Sequence, residues 1–305
     1  MLDIVIAGSG AIGGYFGALL ARRGHGVTML ARGDHLMALR REGMRIVGGP
    51  DEGIVQVRAV NDLAGAPEPD LVLFTVKAYD TTVVAEALRS RMGDHTVVLE
   101  LQNGVDRAEA IGAIVGTGRV LAGTVFMESV LEAPGTVRYL SGPRRIVLGE
   151  PLGGVSDRVS RVHRILTDAG INAEAPDDIR PSLWWKFALV CAANALTALT
   201  RSAFGKILEA PGGRDVITQI ISEVVTIAHA RGVALRDDVV PYSLAFLEEL
   251  GPELRSSMLR DIERGRQVEV EALNDYVVAL SDELGVPAPA NRVVALALGL
   301  YNRRL

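Results

Sequence analysis

A short apolar run, Ile4-Val5-Ile6-Ala7, leads straight into Gly8-Ser9-Gly10-Ala11-Ile12-Gly13. Helix formers follow from Ala11 to Arg23 and stop at Gly24. This order constrains the chain more than any other feature. A strand that turns through glycines into a helix uses the first glycine for the tight turn and the third for close helix–strand packing; the second lets a pyrophosphate approach the backbone. The helix start adds unpaired N–H groups and a partial positive charge, which suit an anion. Among 33 glycines the pattern alone would be weak, and its placement between strand and helix gives it weight. Gly8, Ser9, Gly10, Ala11, Ile12 and Gly13 are the expected dinucleotide cradle.

The next strand-like run ends Leu30-Ala31-Arg32-Gly33, with no acid before Asp34. A site that prefers NAD usually carries an acid there for the ribose 2′-OH. A carboxylate would repel a 2′-phosphate, whereas Arg32 can pair with one bidentately. The expected cofactor is therefore NADP, with Arg32 as a contact.

Near-continuous apolar runs at Leu71 to Val76 and Thr96 to Leu99 alternate with helical stretches. Such grammar indicates a parallel sheet covered on both faces. Smaller strands are expected from Gly118 to Gly149, and a helix from Val155 to Ala169. Beyond Asp178 helical periods take over: Val216, Ile217, Ile220, Ile221, Val224 and Val225 recur at helix spacing, as do Val270, Leu273, Val277 and Leu280. The expected organisation is an α/β Rossmann-type domain over residues 1–176 and an all-α domain over 177–305.

Composition removes several classes of function. Lys+Arg count 32 against Asp+Glu 37, which argues against gripping phosphate backbones, and no aromatic stacking pattern points to nucleic acid. One cysteine, Cys191, excludes a disulfide framework and a multi-cysteine metal site, and it fits a reducing cytoplasm. The five histidines form no HxxxH pair, so no metal is expected. The start of the chain lacks a basic n-region and does not read as a signal peptide. The apolar run Phe187 to Thr200 is shorter than the ~20 residues of a bilayer span and is expected to be a buried helix, with no membrane partner.

Further landmarks are Val76-Lys77-Ala78-Tyr79, Leu101-Gln102-Asn103-Gly104-Val105, Trp185-Lys186, Asn194 to Leu199, Ser256 to Ile262, and Glu269. In order and spacing they resemble the ketopantoate reductase (2-dehydropantoate 2-reductase) family across nearly the whole chain. The resemblance implies a Rossmann domain followed by a helical domain of the 6-phosphogluconate-dehydrogenase C-terminal type, with the active site in the cleft between. It also implies NADPH-dependent reduction of a 2-keto acid to a 2-hydroxy acid: ketopantoate to (R)-pantoate in pantothenate biosynthesis. Under it Lys186 is the catalytic acid, Lys77 an NADP contact near the adenosine, and Ser256 and Ser257 contacts of the substrate carboxylate. Glu269 binds the substrate hydroxyl or the nicotinamide end.

These roles agree with the chemistry of the residue types. Hydride transfer to a ketone builds negative charge on oxygen, so the site needs a proton donor or cation there. Lys186 follows two tryptophans and leads a strongly apolar helix, which suits an ammonium held out of bulk water. Asn103 follows a predicted strand end, the edge where ligands lie in open α/β sheets. Its amide can donate and accept, which suits a nicotinamide, a ribose or the lysine head. Ser257 and Glu269 are twelve residues apart, ~18 Å on one straight helix, too far to share a small substrate. Leu259 to Gly265 is therefore expected not to be a continuous helix, with a new helix near Gln267 carrying Glu269 in its first turn.

The chain departs from the family pattern at two positions. The resemblance puts asparagines four and eight residues after the lysine and another before a later glycine; here they are Val190, Asn194 and Phe204. Apolar groups cannot satisfy a buried substrate hydroxyl. A different 2-keto acid is thus an alternative substrate, and a non-catalytic NADP-binding sensor is an alternative of another class. Helical C-terminal halves often supply dimer surfaces, so a homodimer is a further expectation.

Overall fold

Strand side chains alternate between two faces, and the N-terminal sheet fills both. The structure, a computed structural model, describes residues 1–303. Its first unit comprises Met1–Gln102 and Asp106–Ile179. The order there is β1 (Asp3–Ala7), α1 (Ala11–Arg22), β2 (Gly26–Leu30), α2 (Gly33–Glu42), β3 (Met44–Val47), β4 (Gly53–Val55), β5 (Arg58–Val60) and β6 (Leu71–Phe74). It continues with α3 (Thr81–Arg89), β7 (Val97–Glu100), α4 (Arg107–Val115), β8 (Val120–Ala133), β9 (Thr136–Gly149), α5 (Asp157–Asp168) and β10 (Asn172–Glu174).

Ile4, Ile6, Leu71, Leu73, Val97 and Leu99 face one core, with Phe16 and Leu20 of α1 and Val162 and Leu166 of α5. Val5, Ala7, Val72, Phe74 and Val98 face the other, with Ala85 and Leu88 of α3 and Ile111 and Val115 of α4. Burial on both sides is why these strands read as unbroken apolar runs. Strands β5-β2-β1-β6-β7-β8 are all parallel. The carboxyl ends of β1, β6 and β7 therefore emerge together, which puts the glycine loop, Lys77 and the approach to Asn103 at one edge of the sheet.

The parallel expectation stops at β8. Instead of smaller strands, Gly118 to Gly149 holds a hairpin of two 14-residue strands, antiparallel to each other, which makes the sheet mixed. Register shifts near Phe126, Glu128 and Leu131 bend it. The glycines and proline that suggested separate short strands fall at the turn (Gly135, φ 73°) and beside irregular pairing (Gly142, Pro143), where bulges tolerate them.

The second unit comprises Asn103–Val105 and the chain from Arg180 onward. Its helices are α6 (Arg180–Thr200), α7 (Phe204–Glu209), α8 (Gly213–Ala230), α9 (Val239–Glu249), α10 (Ser257–Glu263), α11 (Asn274–Leu284) and α12 (Pro289–Asn302). Helix α6 is long and apolar enough to cross a membrane by composition, but 72% of its most apolar window is buried. It is the centre of a helical core with Ile217, Ile220, Ile221 and Val224 of α8 and Val277 and Leu280 of α11. Val216, counted with the periodic set, is exposed instead.

Between Ser257 and Glu269 the chain is interrupted, but not where expected. Leu259 lies inside α10, which runs unbroken to Glu263. Gly265 then takes φ 63°, and N–H groups of Gly265 and Arg266 return to the carbonyls of Ile262 and Asp261. This is a Schellman ending, which needs the left-handed conformation that glycine adopts freely. No helix starts near Gln267. Glu269 lies in an irregular segment and the next helix begins at Asn274, so the helix-dipole reading of Glu269 does not hold. Val268, Val270 and Leu273 are buried without helical backbone, so their apolar spacing reflects core contact alone.

Candidate active site

The glycine loop turns as its residue types dictate. Gly8 has φ 104°, and a Cβ there would come within 2.7 Å of the Val76 nitrogen. A Cβ on Gly13 would stand 2.1 Å from the Gly8 carbonyl and 2.4 Å from Thr75 Oγ1. Gly10 differs: nothing in the chain lies within 4 Å of a Cβ built on it. Gly10 is also the N-cap of α1, with no side chain capping it and no acid in the first turn. Two glycines are thus demanded by the fold, and the third borders open space beside helical N–H groups. That cradle fits the pyrophosphate of a dinucleotide.

Arg32 and Lys77 flank this edge. Arg32 is 77% exposed and pairs with Asp80 at 2.9 Å. Lys77, half-buried, precedes a 3-10 turn, Ala78–Asp80. Gln102, absent from the sequence-level candidates although adjacent to Asn103, ties the edge together. Its amide nitrogen donates to the Val76 carbonyl (2.8 Å) and lies 2.9 Å from Thr81 Oγ1. Glu100, fully buried at the end of β7, accepts from the Gln102 N–H. Burial holds its carboxyl well above the usual carboxylate range, only partly offset by that bond and by Arg107.

The helical unit holds Lys186, Val190 and Asn194 at successive four-residue steps of α6, on neighbouring parts of one face. Lys186 and Asn194 are half-buried, while Val190 is 6% exposed. The tryptophans before Lys186 anchor this end of α6. Trp184 packs edge-on against Phe187, and Trp185 packs against Tyr242 and Phe246 while its indole N–H donates to Ser243 (3.1 Å). These contacts fix the backbone from which the Lys186 stem projects.

Ser256 and Ser257 separate in character. Ser256 is buried, and its hydroxyl caps α10 by accepting from the Leu259 N–H (3.0 Å). Thr197 donates to it (2.7 Å), and the Asn194 carbonyl lies 3.4 Å away. These partners knit α6 to α10. Ser257, the first helical residue, is exposed.

Glu269 is 8% exposed, in a segment braced from α12. The Asn302 side chain makes a two-way bridge to Val268, accepting from its N–H (3.0 Å) and donating to its carbonyl (2.9 Å). Tyr301 donates to the Arg266 carbonyl (3.1 Å). Residues 301 and 302 carried no sequence signal, because their partners lie more than thirty residues away. Phe204, where the resemblance expects an amide, is fully buried in the helical core.

Both halves match known family models: residues 4–153 that of "Ketopantoate reductase PanE/ApbA", and residues 178–302 that of its C-terminal domain. The chain is 32% identical to a 2-dehydropantoate 2-reductase of Mesorhizobium japonicum, over 99% of both chains. Among solved structures it is similar to a PanE/ApbA family ketopantoate reductase from Ralstonia eutropha, with TM-score 0.92, 33% identity and 99% of each chain covered. It shares its fold with a D-mandelate dehydrogenase solved with NADH and anilino(oxo)acetate, with TM-score 0.91, 22% identity and 99% of each chain covered.

Proposed function

The chain belongs to the ketopantoate reductase family and is an oxidoreductase, and from that premise we propose that it reduces 2-dehydropantoate to (R)-pantoate with NADPH, as a step of pantothenate synthesis. The observation that carries this reading is the half-buried Lys186 on the tryptophan-anchored end of α6. The bound nicotinamide supplies the hydride. Lys186 donates a proton from Nζ to the keto oxygen as negative charge develops there, which balances the hydride added at carbon. Asn103 orders the nicotinamide or the lysine head, and Glu269 receives the substrate hydroxyl. Ser257 takes the substrate carboxylate, Asn194 contacts the far part of the substrate, and Ser256 holds α10 in place.

Gly8 to Gly13 cradle the pyrophosphate, and Lys77 contacts the adenosine side. Arg32 supports NADP over NAD. Its pairing with Asp80 is an exposed one, worth about 0–1 kcal/mol, so a 2′-phosphate can take the guanidinium at little cost. The lone thiol, Cys191, is buried, which suits a cytoplasmic enzyme.

A second reading is a family member acting on another 2-keto acid. Val190 favours it, being apolar where the family resemblance expects an amide on the face of α6 that carries Lys186. Phe204, also apolar where an amide is expected, is fully buried in the helical core and presents no surface to a ligand. NADPH absorbance loss with ketopantoate and a panel of 2-keto acids separates the two. Ketopantoate with the highest kcat/KM supports the first reading. A negligible rate with ketopantoate beside a robust rate elsewhere establishes the second, and no NADPH loss with any keto acid leaves a binding protein.

A further inference from the structure

The carbonyls of the glycine loop are held by side chains of other elements. Thr75 donates from Oγ1 to the Gly8 carbonyl (2.6 Å) and has the Ala7 carbonyl 3.3 Å away. His35, in the first turns of α2, has Nε2 at 2.8 Å from the Ser9 carbonyl. The opposite ring nitrogen, Nδ1, accepts from the N–H of Gly135 at the β8–β9 turn, 2.9 Å away. A backbone N–H only donates, so Nδ1 carries no proton. The ring is therefore neutral, with its proton on Nε2 directed at Ser9. Burial, which lowers the pKa of His35, favours this neutral form.

The consequence lies one peptide further. In a planar trans peptide the carbonyl and the following N–H point in opposite directions. With the Ser9 carbonyl drawn to His35, the Gly10 N–H is aimed away from it. Gly10 is the N-cap glycine beside which the chain leaves space open. Were the Ser9 peptide to turn over, it would present a carbonyl where an anion needs a donor.

We propose that His35 is a positioning residue for the cofactor: as a neutral imidazole clamped between Gly135 and Ser9, it sets the Ser9–Gly10 peptide so that the Gly10 N–H serves the pyrophosphate. The role rests on the reading of Gly8 to Gly13 as the pyrophosphate cradle. It also accounts for a polar bond between α2 and the glycine loop that packing alone does not require.

The test is titration of the whole protein with NADPH, following nucleotide fluorescence, with a melting curve for each variant. His35→Gln keeps an amide donor near the position of Nε2 and loses the acceptor for Gly135. His35→Asn keeps an acceptor near the position of Nδ1 and loses the donor to Ser9. The expected result is a Kd for NADPH raised about tenfold in His35→Asn, the worth of one hydrogen bond, and restored to within about threefold of wild type in His35→Gln. The opposite ranking would make the Gly135 contact the important one and overturn the proposal. Equal weakening in both variants with equally lowered Tm would make His35 a packing residue and overturn it as well. Gly10→Val checks the underlying reading, because a side chain there fills the open space. If it binds NADPH as wild type does, the cradle is elsewhere, whatever the histidine variants do.

Discussion

The two halves position their candidate side chains by different means. In the α/β half, each candidate sits one to three residues beyond the end of a strand: Gly8 after β1, Arg32 after β2, Lys77 after β6. Parallel pairing of those strands brings the loops to one edge, so short-range patterns suffice to bring these candidates together. In the helical half the candidates come from a buried helix, a helix N-terminus and an irregular segment. The segment is held by α12, more than thirty residues later in the chain. The first arrangement is local; the second depends on contacts distant in sequence.

Replacing the proposed acid should produce the largest effect. Lys186→Ala is expected to lower kcat by about 10²–10⁴-fold, the usual contribution of a positioned proton donor, while the Kd for NADPH stays within about threefold. Equal losses in rate and cofactor affinity would blur the division of labour between the halves. Next comes Gly13→Ala. Its methyl would meet the Gly8 carbonyl backbone, so a rise in the KM for NADPH of about 10-fold or more is expected, with about 1–3 kcal/mol lost in denaturant unfolding. An unchanged KM would show that the strand–helix approach at Gly13 does not control cofactor binding.

Why one half was legible follows from these contacts. The glycine loop, the apolar strands and the period of α8 are patterns within a few residues, and each matched its element. The hairpin of β8 and β9 resembles several short strands in sequence because its glycines and Pro143 fall at irregular pairing as well as at the turn, and composition does not tell the two apart. The helix expected near Gln267 follows from taking Gly265 as a break, and Gly265 does end α10, but a break does not announce what comes after it: the segment carrying Glu269 is irregular and is braced by Asn302. The contacts of His35, Thr75, Gln102 and Asn302 are not legible in the sequence, because a single polar residue announces no partner. Only the tertiary fold shows what each one holds.

Removing that brace sharpens the contrast. Asn302→Ala deletes both bonds to Val268, and kcat/KM for the keto acid is expected to fall about tenfold. In a Glu269→Gln background the same change should cost almost nothing further, because Asn302 acts through Glu269. Additive losses would separate the two residues.

The smallest effect is one of stability. Glu100 has a folded-state pKa above its unfolded value, so its contribution is full below about pH 4.3 and is lost as pH rises. Glu100→Gln keeps an oxygen to accept from the Gln102 N–H and carries no charge to desolvate. Its Tm at pH 8 should exceed that of wild type by roughly 2–4 °C, with the advantage vanishing near pH 4. A lower Tm at pH 8 would mean that the ionised carboxylate is stabilised where it stands.

In the proposed reaction Lys186 is the proton donor. Chemical rescue tests it most directly: NADPH oxidation by Lys186→Ala at saturating keto acid, with and without added ethylammonium. The expected result is a rate that rises with amine concentration, in the variant and not in the wild type. A variant that turns over at the wild-type rate without any amine would contradict the claim.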